Sequence, residues 1–247
     1  TIEAGLIIHQ QLKTGRSERI LILVPDSLQY QWMIEMRRRF NLQFSLFDLT
    51  RTASIKEHDP DLNPFLTEQC IIASVDLMVD HEDLREQAVE AGFDLLVVDE
   101  AHHLMWSEED GGNDRYDLVE ELAEQTAGVL LLTATPEQLG VESHFARLRL
   151  LDPQRFSSLD RFLDEEEQYQ QTAKVAEVLM SDEALTEEHL AALDGLLGHR
   201  IDDQPEQRMR AIHELLDRHG TGRILFRNTR EAIQGFPGRD CQPAPLP

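Results

Sequence analysis

The sequence predicts an α/β protein in which helices cover both faces of a parallel sheet. Residues 1–150 alternate short apolar runs with helical patterns, as expected of successive βαβ units. Two of the runs, Leu95–Val98 and Val129–Leu132, are apolar throughout, which is typical of strands buried on both faces. With 247 residues and 41% hydrophobic content, the chain can bury the core of one or two domains.

Helix and turn signals define the elements of this first region. A helix over Glu3–Lys13 is closed by Gly15, a residue suited to the left-handed conformation that ends helices. The apolar run Ile20–Val24 predicts a strand, which the following proline and aspartate interrupt. The remaining predictions are a helix from Asp26 or Ser27 to Phe40, strands over Phe44–Phe47 and Cys70–Ala73, and a helix capped by Asp76.

The pattern changes after residue 150. Residues 150–220 contain 17 acidic and 7 basic side chains and carry helical periodicity without strand signals. The apolar run Ile224–Phe226 then predicts the first strand of a second lobe. The predicted division is an α/β lobe over 1–150, an acidic helical linker over 151–220 and the start of a second lobe over 221–247.

The chain is strongly acidic, with a formal net charge of −24. Such a surface repels phosphate backbones, so any contact with nucleic acid has to be local. Two distant cysteines, Cys70 and Cys241, give no disulfide framework. No apolar run approaches the ~20 residues that a membrane span needs. These features predict a cytoplasmic protein without membrane contact.

Two adjacent carboxylates, Asp99 and Glu100, follow the run Leu95–Val98 directly, and Ala101 and His102 come next. Ligands of parallel sheets bind beyond the carboxyl ends of the strands, so both carboxylates are expected at one site. One carboxylate can hold a hydrated magnesium ion while its neighbour orients or deprotonates an attacking water. The pattern is that of a Walker B motif in a nucleic-acid-dependent ATPase, and it predicts ATP and magnesium as cofactors.

The second apolar run ends in the segment Thr133–Pro136, which contains two threonines. Hydroxyls at a strand end can hydrogen-bond the carboxylates of a neighbouring strand, so Thr133 and Thr135 are expected to respond to bound nucleotide. Together with Asp99–His102, this segment resembles motifs II and III of superfamily-two helicases and translocases. The resemblance implies a RecA-like sheet, with Asp99 as the magnesium ligand, Glu100 as the catalytic base and His102 as the residue that couples hydrolysis to nucleic-acid binding.

Two further segments resemble the Swi/Snf branch of that superfamily. Val24–Leu28, followed by Gln31 and Trp32, is similar to its motif Ia, and Ala73–Asp76 is similar to its motif Ib region. Both segments lie at strand ends, where small residues and helix amides can meet a phosphate backbone. Trp32 itself is expected to pack rather than to stack on bases. The residues predicted to contact nucleic acid are Pro25, Ser27 and Ser74.

A narrower similarity is to the bacterial RNA polymerase-associated members of the Swi/Snf branch. The residues on which this similarity rests are Met105 after the histidines, Ala134 between the threonines, and the run Arg223–Arg230. The resemblance implies a parent protein that is an ATP-driven translocase on double-stranded DNA. By the same resemblance, that parent binds the RNA polymerase core and promotes polymerase recycling during transcription.

The first residues, Thr1–Gly5, resemble the end of a Walker A segment, in which a threonine precedes a helix. Thr1 then offers its hydroxyl to magnesium and nucleotide. The glycine-rich loop and the lysine that hold the β- and γ-phosphates are not in the chain. The expectation is a piece of a larger motor that is inactive by itself.

Two other classes of function compete with this interpretation. One is a metal-dependent hydrolase built on the acids and histidines of the segment 99–103, although adjacent histidines diverge and no His-Glu-x-x-His spacing is present. Its candidate ligands are Asp99, Glu100, His102 and His103. The other is a non-catalytic acidic docking module on an ATPase-like lobe. Metal analysis of the protein tests the metal-dependent hydrolase, and an ATPase assay tests the non-catalytic docking module.

Overall fold

The computed structural model describes residues 1–133 and 140–166, and the isolated positions 186, 190, 193, 195, 197, 204, 207, 208, 210 and 211. Thr1–Asp164 form one compact unit. The predicted strand at Ile224–Phe226 and most of the predicted acidic helical stretch lie outside the described residues. The proposed domain boundaries at residues 150 and 220 therefore stay predictions.

A parallel five-stranded sheet forms the core of the unit and confirms the predicted α/β class. The strands are β1 Ile20–Val24, β2 Ser45–Phe47, β3 Cys70–Ser74, β4 Leu95–Val98, β5 Trp106–Ser107, β6 Gly111–Gly112 and β7 Gly128–Leu131. The sheet has the spatial order β2-β3-β1-β4-β7, whereas β5 and β6 form a separate antiparallel hairpin. β1 pairs with both neighbours, so Ile20 lies opposite Cys70 and Leu95.

Seven helices with defined bounds accompany the strands in the described part of the chain. They are α1 Ile2–Thr14, α2 Gln29–Phe40, α3 Leu49–His58, α4 Val75–Asp80, α5 Glu82–Ala91, α6 Asp114–Glu124 and α7 Val141–Leu151. Gly15 ends α1 in the left-handed conformation, with φ +67°, as the sequence predicts. Residues 159–166 are also helical. Among the described residues, no helix has both the length and the apolar character needed to cross a membrane.

Each face of the sheet carries its own apolar core. Alternate residues of β4 point to opposite faces, so Leu95 and Val97 belong to one core while Leu96 and Val98 belong to the other. The first core is covered by α1 and α2, and its helix residues are Ala4, Ile8, Trp32 and Met36. The second is covered by α4 to α7, through residues that include Met78, Leu84, Ala88, Leu118, Val119 and Ala146. Coverage of both faces confirms the predicted layer arrangement.

Two predicted helix caps are wrong. Residues Asp26–Leu28 form a 3₁₀ turn ahead of α2, and the Asp26 carboxylate accepts a bond from the Gln29 side-chain amide instead of capping the helix. At α4 the cap is Ser74 rather than Asp76, because β3 runs into the helix without an intervening loop. The Ser74 hydroxyl accepts the Asp76 backbone N–H at 3.2 Å.

A crevice at the carboxyl edge of the sheet follows from the chain path. β1 and β4 are adjacent, but the helix after β1 lies on one face and the helix after β4 lies on the other. Chains that leave adjacent parallel strands toward opposite faces leave an opening between the strand ends. The residues at this opening are Pro25 and Asp26 after β1, and Asp99 and Glu100 after β4.

Candidate active site at the carboxyl edge of the sheet

The backbone around Asp99 is held by both neighbouring strands. The Asp99 N–H donates to the Leu23 carbonyl at 2.9 Å on the β1 side. On the β7 side, the Leu132 N–H donates to the Val98 carbonyl and the Ala101 N–H donates to the Leu132 carbonyl, each at 2.8 Å. These bonds fix the position at which the Asp99 side chain leaves the sheet.

The Asp99 carboxylate accepts two hydrogen bonds, one on each oxygen. Oδ1 accepts the Glu100 backbone N–H at 2.9 Å, and Oδ2 accepts the Trp32 indole N–H at 2.7 Å. The residue is half-buried, so the carboxylate is not enclosed. Each carboxylate oxygen has two lone-pair directions, and therefore acceptor capacity remains for a metal ion. A single oxygen-donor carboxylate that works with substrate phosphates is the kind of ligand that magnesium uses.

Glu100 adopts a strained backbone conformation. Its φ is +53° and its ψ is +40°, in the left-handed region that residues with a side chain rarely enter. The turn lets Ala101 reach back to the Leu132 carbonyl and starts a short 3₁₀ turn, Ala101–His103. Such outliers cluster at functional sites, at a cost of about 1–3 kcal/mol each.

His102 lies beside the Glu100 carboxylate. Its Nδ1 is 3.0 Å from Glu100 Oε2, although the direction of approach is not that of a hydrogen bond. The contact becomes an ion pair only when the imidazole is protonated. The His102 side chain is 28% exposed, so it is open to a partner above the sheet edge. This places the residue predicted to couple hydrolysis next to the predicted base.

His103 and an ion pair extend the charged groups along the edge. Partial burial of the ring lowers the pKa of His103 below its ordinary value of 6.5, and the neighbouring His102 and Arg115 act in the same direction. Arg115 of α6 pairs with Asp76 of α4 at 2.6 Å. Among the described residues, no group of three or more His, Cys, Asp and Glu side chains has a metal-binding arrangement.

A hollow of about 440 Å³ lies at the start of α1. It is lined by Thr1, Ile2, Glu3, Ala4, Gln31, Glu35, Arg39 and Leu132. Leu132 is bonded to the residues on either side of Asp99 and Glu100. The amides at a helix start and its positive dipole end favour an anion. The predicted nucleotide residue Thr1 is exposed here, and its hydroxyl is not used to cap α1.

The other predicted site residues lie at neighbouring strand ends. Thr133 follows β7 and is half-buried, whereas Thr135 lies outside the described residues. Pro25 is half-buried and Ser27 is exposed at the end of β1. Ser74 is 1% exposed and its hydroxyl caps α4. Nucleic-acid contact by these residues stays a prediction, and at Ser74 the side chain already has a structural partner.

Trp32 is the site residue that sequence reasoning missed. It was expected to pack, and it does so with 1% exposure, but its N–H also reaches Asp99 across 67 positions of sequence. The sequence feature that could have indicated this contact is a tryptophan on the helix that follows β1, because β1 is the strand next to Asp99. Sequence spacing alone does not show which face of that helix meets the strand end.

The chain belongs to the family of the SNF2-related domain, whose model matches residues 4–235. Among curated proteins, the chain is similar to the RNA polymerase-associated protein RapA of several bacteria. It is 52% identical to RapA of Pseudomonas putida (strain W619) and to RapA of Stutzerimonas stutzeri (strain A1501), in each case over 255 aligned positions.

Each of those alignments covers 100% of this chain and 26% of the relative, so the chain spans about a quarter of the RapA proteins it matches. Among solved structures, the chain is similar to the Sulfolobus solfataricus SWI2/SNF2 ATPase core in complex with dsDNA. That match has 20% sequence identity and a TM-score of 0.48, and it covers 65% of this chain and 31% of the other.

Proposed function

We propose that the protein containing this chain is an ATP-driven translocase on double-stranded DNA that associates with RNA polymerase and promotes polymerase recycling in transcription. The observation that carries the proposal is the pair Asp99-Glu100 at the end of a buried parallel strand, in a chain of the SNF2-related family. The similarity to RapA supports the polymerase partner and, with it, a cytoplasmic location.

The proposed chemistry divides the two carboxylates between two tasks. Asp99 is held by two hydrogen bonds in a fixed orientation and keeps acceptor capacity, so it is the magnesium ligand. When bound, magnesium neutralises charge on the nucleotide phosphates. The Glu100 side chain is 35% exposed and its carboxylate makes neither of those bonds, so it is proposed to accept a proton from an attacking water. Thr1 borders the hollow beside Leu132, where we place the phosphates.

His102 gives the site a means of responding to DNA. It lies within 3.0 Å of the Glu100 carboxylate and remains partly exposed. We infer that closure of a second lobe over DNA changes the environment of His102 and thereby the orientation of Glu100. Thr133 and Thr135 follow the strand next to β4 and are proposed to report nucleotide state. Pro25 and Ser27 are proposed to face DNA from the end of β1, and the start of α4, which the buried Ser74 caps, is proposed to do so from the end of β3.

The first test measures ATP hydrolysis by the full-length protein with and without double-stranded DNA. We expect DNA-stimulated hydrolysis, and displacement of a triplex-forming strand in a translocation assay. We expect the 247-residue chain by itself to bind ATP no better than millimolar and to show no stimulated turnover. Absence of hydrolysis in the full-length protein would favour the alternative of a non-catalytic docking module.

A second test addresses the polymerase. The full-length protein should co-migrate with purified RNA polymerase core in gel filtration, and it should raise transcript yield when many rounds are allowed but not in a single round. Glu100→Gln is the matched control, because it keeps the surface and removes the base. We expect this variant to bind polymerase and to lose the multi-round gain. An equal gain from the variant would separate recycling from ATP hydrolysis and contradict the proposal.

A further inference from the structure

We propose that Trp32 is a positioning residue for ATP hydrolysis, whose buried indole N–H fixes the orientation of the Asp99 carboxylate. The inference rests on the proposed function, because it assigns Asp99 the role of magnesium ligand. The Trp32 indole donates a hydrogen bond at this edge, from Nε1 to Asp99 Oδ2 at 2.7 Å.

The donor is held independently of the acceptor. Trp32 lies on α2, is 1% exposed, and packs in the core beneath the sheet with Ile22, Val24 and Met36. Asp99 is fixed through the backbone ladder of β4. Neither group depends on the other for its place in the fold. The hydrogen bond is therefore made between two preformed positions.

The chemistry of the indole suits a positioning role. An indole N–H is a donor only, so it neither ligates a metal ion nor takes a proton from water. The terminal torsion of an aspartate is broad, and a carboxylate without partners samples many orientations. At Asp99 the Trp32 N–H binds one oxygen and the Glu100 N–H binds the other, which stops this rotation.

The consequence is a metal ligand whose free lone pairs point in a set direction. Hydrogen-bonding partners of metal ligands typically contribute about 10–100-fold to metal affinity or activity. Trp32→Phe keeps an aromatic ring in the core and removes the donor. In the full-length protein we expect the magnesium concentration for half-maximal ATP hydrolysis to rise by about tenfold or more.

Trp106→Phe is the matched control. Trp106 lies on β5, and its ring contacts Phe145 and the Arg149 guanidinium rather than the Asp99 carboxylate. We expect the magnesium dependence of this variant to match that of the wild type. A merely structural loss at Trp32 would lower the melting temperature without moving the magnesium midpoint, so both quantities are measured for both variants.

A second readout does not depend on activity. The chain contains two tryptophans, so ¹⁵N-tryptophan labelling of the 247-residue chain gives two indole N–H signals, which Trp32→Phe assigns. We expect Asp99→Asn to move the Trp32 signal upfield, because the charged acceptor is lost, and to leave the Trp106 signal in place. Asp94→Asn, at the other end of β4, is the control and should move neither signal.

The outcomes separate this inference from the proposed function. An unchanged Trp32 signal in Asp99→Asn, or an unchanged magnesium midpoint in an active Trp32→Phe enzyme, would overturn the role of Trp32 alone. If Trp32→Phe does not fold, an unnatural amino acid with benzothiophene in place of indole keeps the shape and removes the N–H, and the same midpoint is measured. Absence of hydrolysis in the wild-type protein would overturn the proposed function and this role together, while leaving the signal shift intact.

Discussion

Strand β4 carries an aspartate just outside each of its ends, Asp94 before it and Asp99 after it. Asp94 Oδ2 accepts the backbone N–H groups of Glu18 and Arg19 at 2.7 and 2.8 Å, and thereby joins β4 to the start of β1. The Arg19 side chain then bonds the carbonyls of Gly92 and Phe65 at 3.0 and 2.7 Å. At the amino end of β4, the Asp94 carboxylate therefore has a structural role, because it binds backbone N–H groups.

The carboxyl end uses the same side chain differently. Asp99 is held by one indole and one backbone N–H, and the residue after it takes a strained conformation. Asp94 and Asp99 are each adjacent to one end of β4, but their hydrogen-bond partners leave the two carboxylates with different access to a ligand. The hydrogen bonds of Asp94 join β4 to the start of β1. Those of Asp99 orient its carboxylate and leave it accessible to a ligand. Substitutions at the two ends of β4 and at its neighbouring residues distinguish a structural role from a catalytic one.

The largest effect is expected at Glu100. In the full-length protein, Glu100→Gln should leave nucleotide and magnesium binding nearly intact while ATP turnover falls by roughly two or more orders of magnitude, because shape survives and the base does not. Turnover and nucleotide binding are measured together. Glu124→Gln, on the exposed end of α6, is the control and should retain full turnover. Equal loss of binding and turnover would mean that the roles of Asp99 and Glu100 are reversed.

A smaller effect is expected at His102. His102→Ala should keep much of the basal ATP hydrolysis and lose most of the stimulation by DNA, because the lost contact belongs to the closed, two-lobe state. Basal rate, stimulated rate and a melting curve are recorded for each protein. His58→Ala, at the end of α3, is the control. A joint fall of both rates with the melting temperature would make His102 a packing residue.

The strain at Glu100 gives a measurable stability difference. Glu100→Gly should be more stable to urea than Glu100→Ala by about 0.5–1 kcal/mol, because the left-handed penalty exceeds the extra chain entropy that glycine loses. The free energy of unfolding is measured on the 247-residue chain. At Glu86, exposed in the middle of α5, the order should reverse, with alanine the more stable by about 1 kcal/mol. The same order at both positions would contradict the strained turn.

A pH-dependent contribution to stability is expected at Asp94. The Arg19 and Glu18 N–H bonds hold the pKa of Asp94 below its ordinary value of 3.8 in the folded state. Its ionisation therefore contributes stability that is present above pH 3.8 and is lost as the pH falls through the lower folded-state value. The unfolding free energies of wild type and Asp94→Asn should converge in that acidic window. If the difference in unfolding free energy between wild type and Asp94→Asn stays constant down to the acid transition, Asp94 does not contribute this pH dependence.

The sequence predicted the sheet well where single strands carry a strong pattern. Ile20–Val24 and Leu95–Val98 occur with the predicted bounds, because fully apolar runs between turn residues have few alternatives. Asp99 and Glu100 could be placed at an edge for the same reason, since strand ends in parallel sheets meet at one side. The hairpin β5–β6 was not predicted, because two-residue strands have no alternation to detect.

What depends on long-range packing could not be predicted. Ser74 and Asp76 are both good capping residues, and only the direct passage from β3 into α4 selects Ser74. The bond between Trp32 and Asp99 requires the rotation of α2 against the sheet, which sequence spacing does not define. The left-handed turn at Glu100 depends on the bond from Ala101 to Leu132 on β7.

A crossed measurement of Asp94→Asn and Asp99→Asn tests the central claim most directly. ATP turnover of the full-length protein and urea unfolding of the 247-residue chain are compared for both variants. We expect Asp99→Asn to lose turnover by roughly two orders of magnitude and to unfold within about 1 kcal/mol of wild type, and Asp94→Asn to keep its turnover and lose about 1–3 kcal/mol of stability. The opposite pattern, with turnover lost at Asp94 and stability lost at Asp99, would contradict the assignment of the carboxyl end of β4 as the catalytic edge.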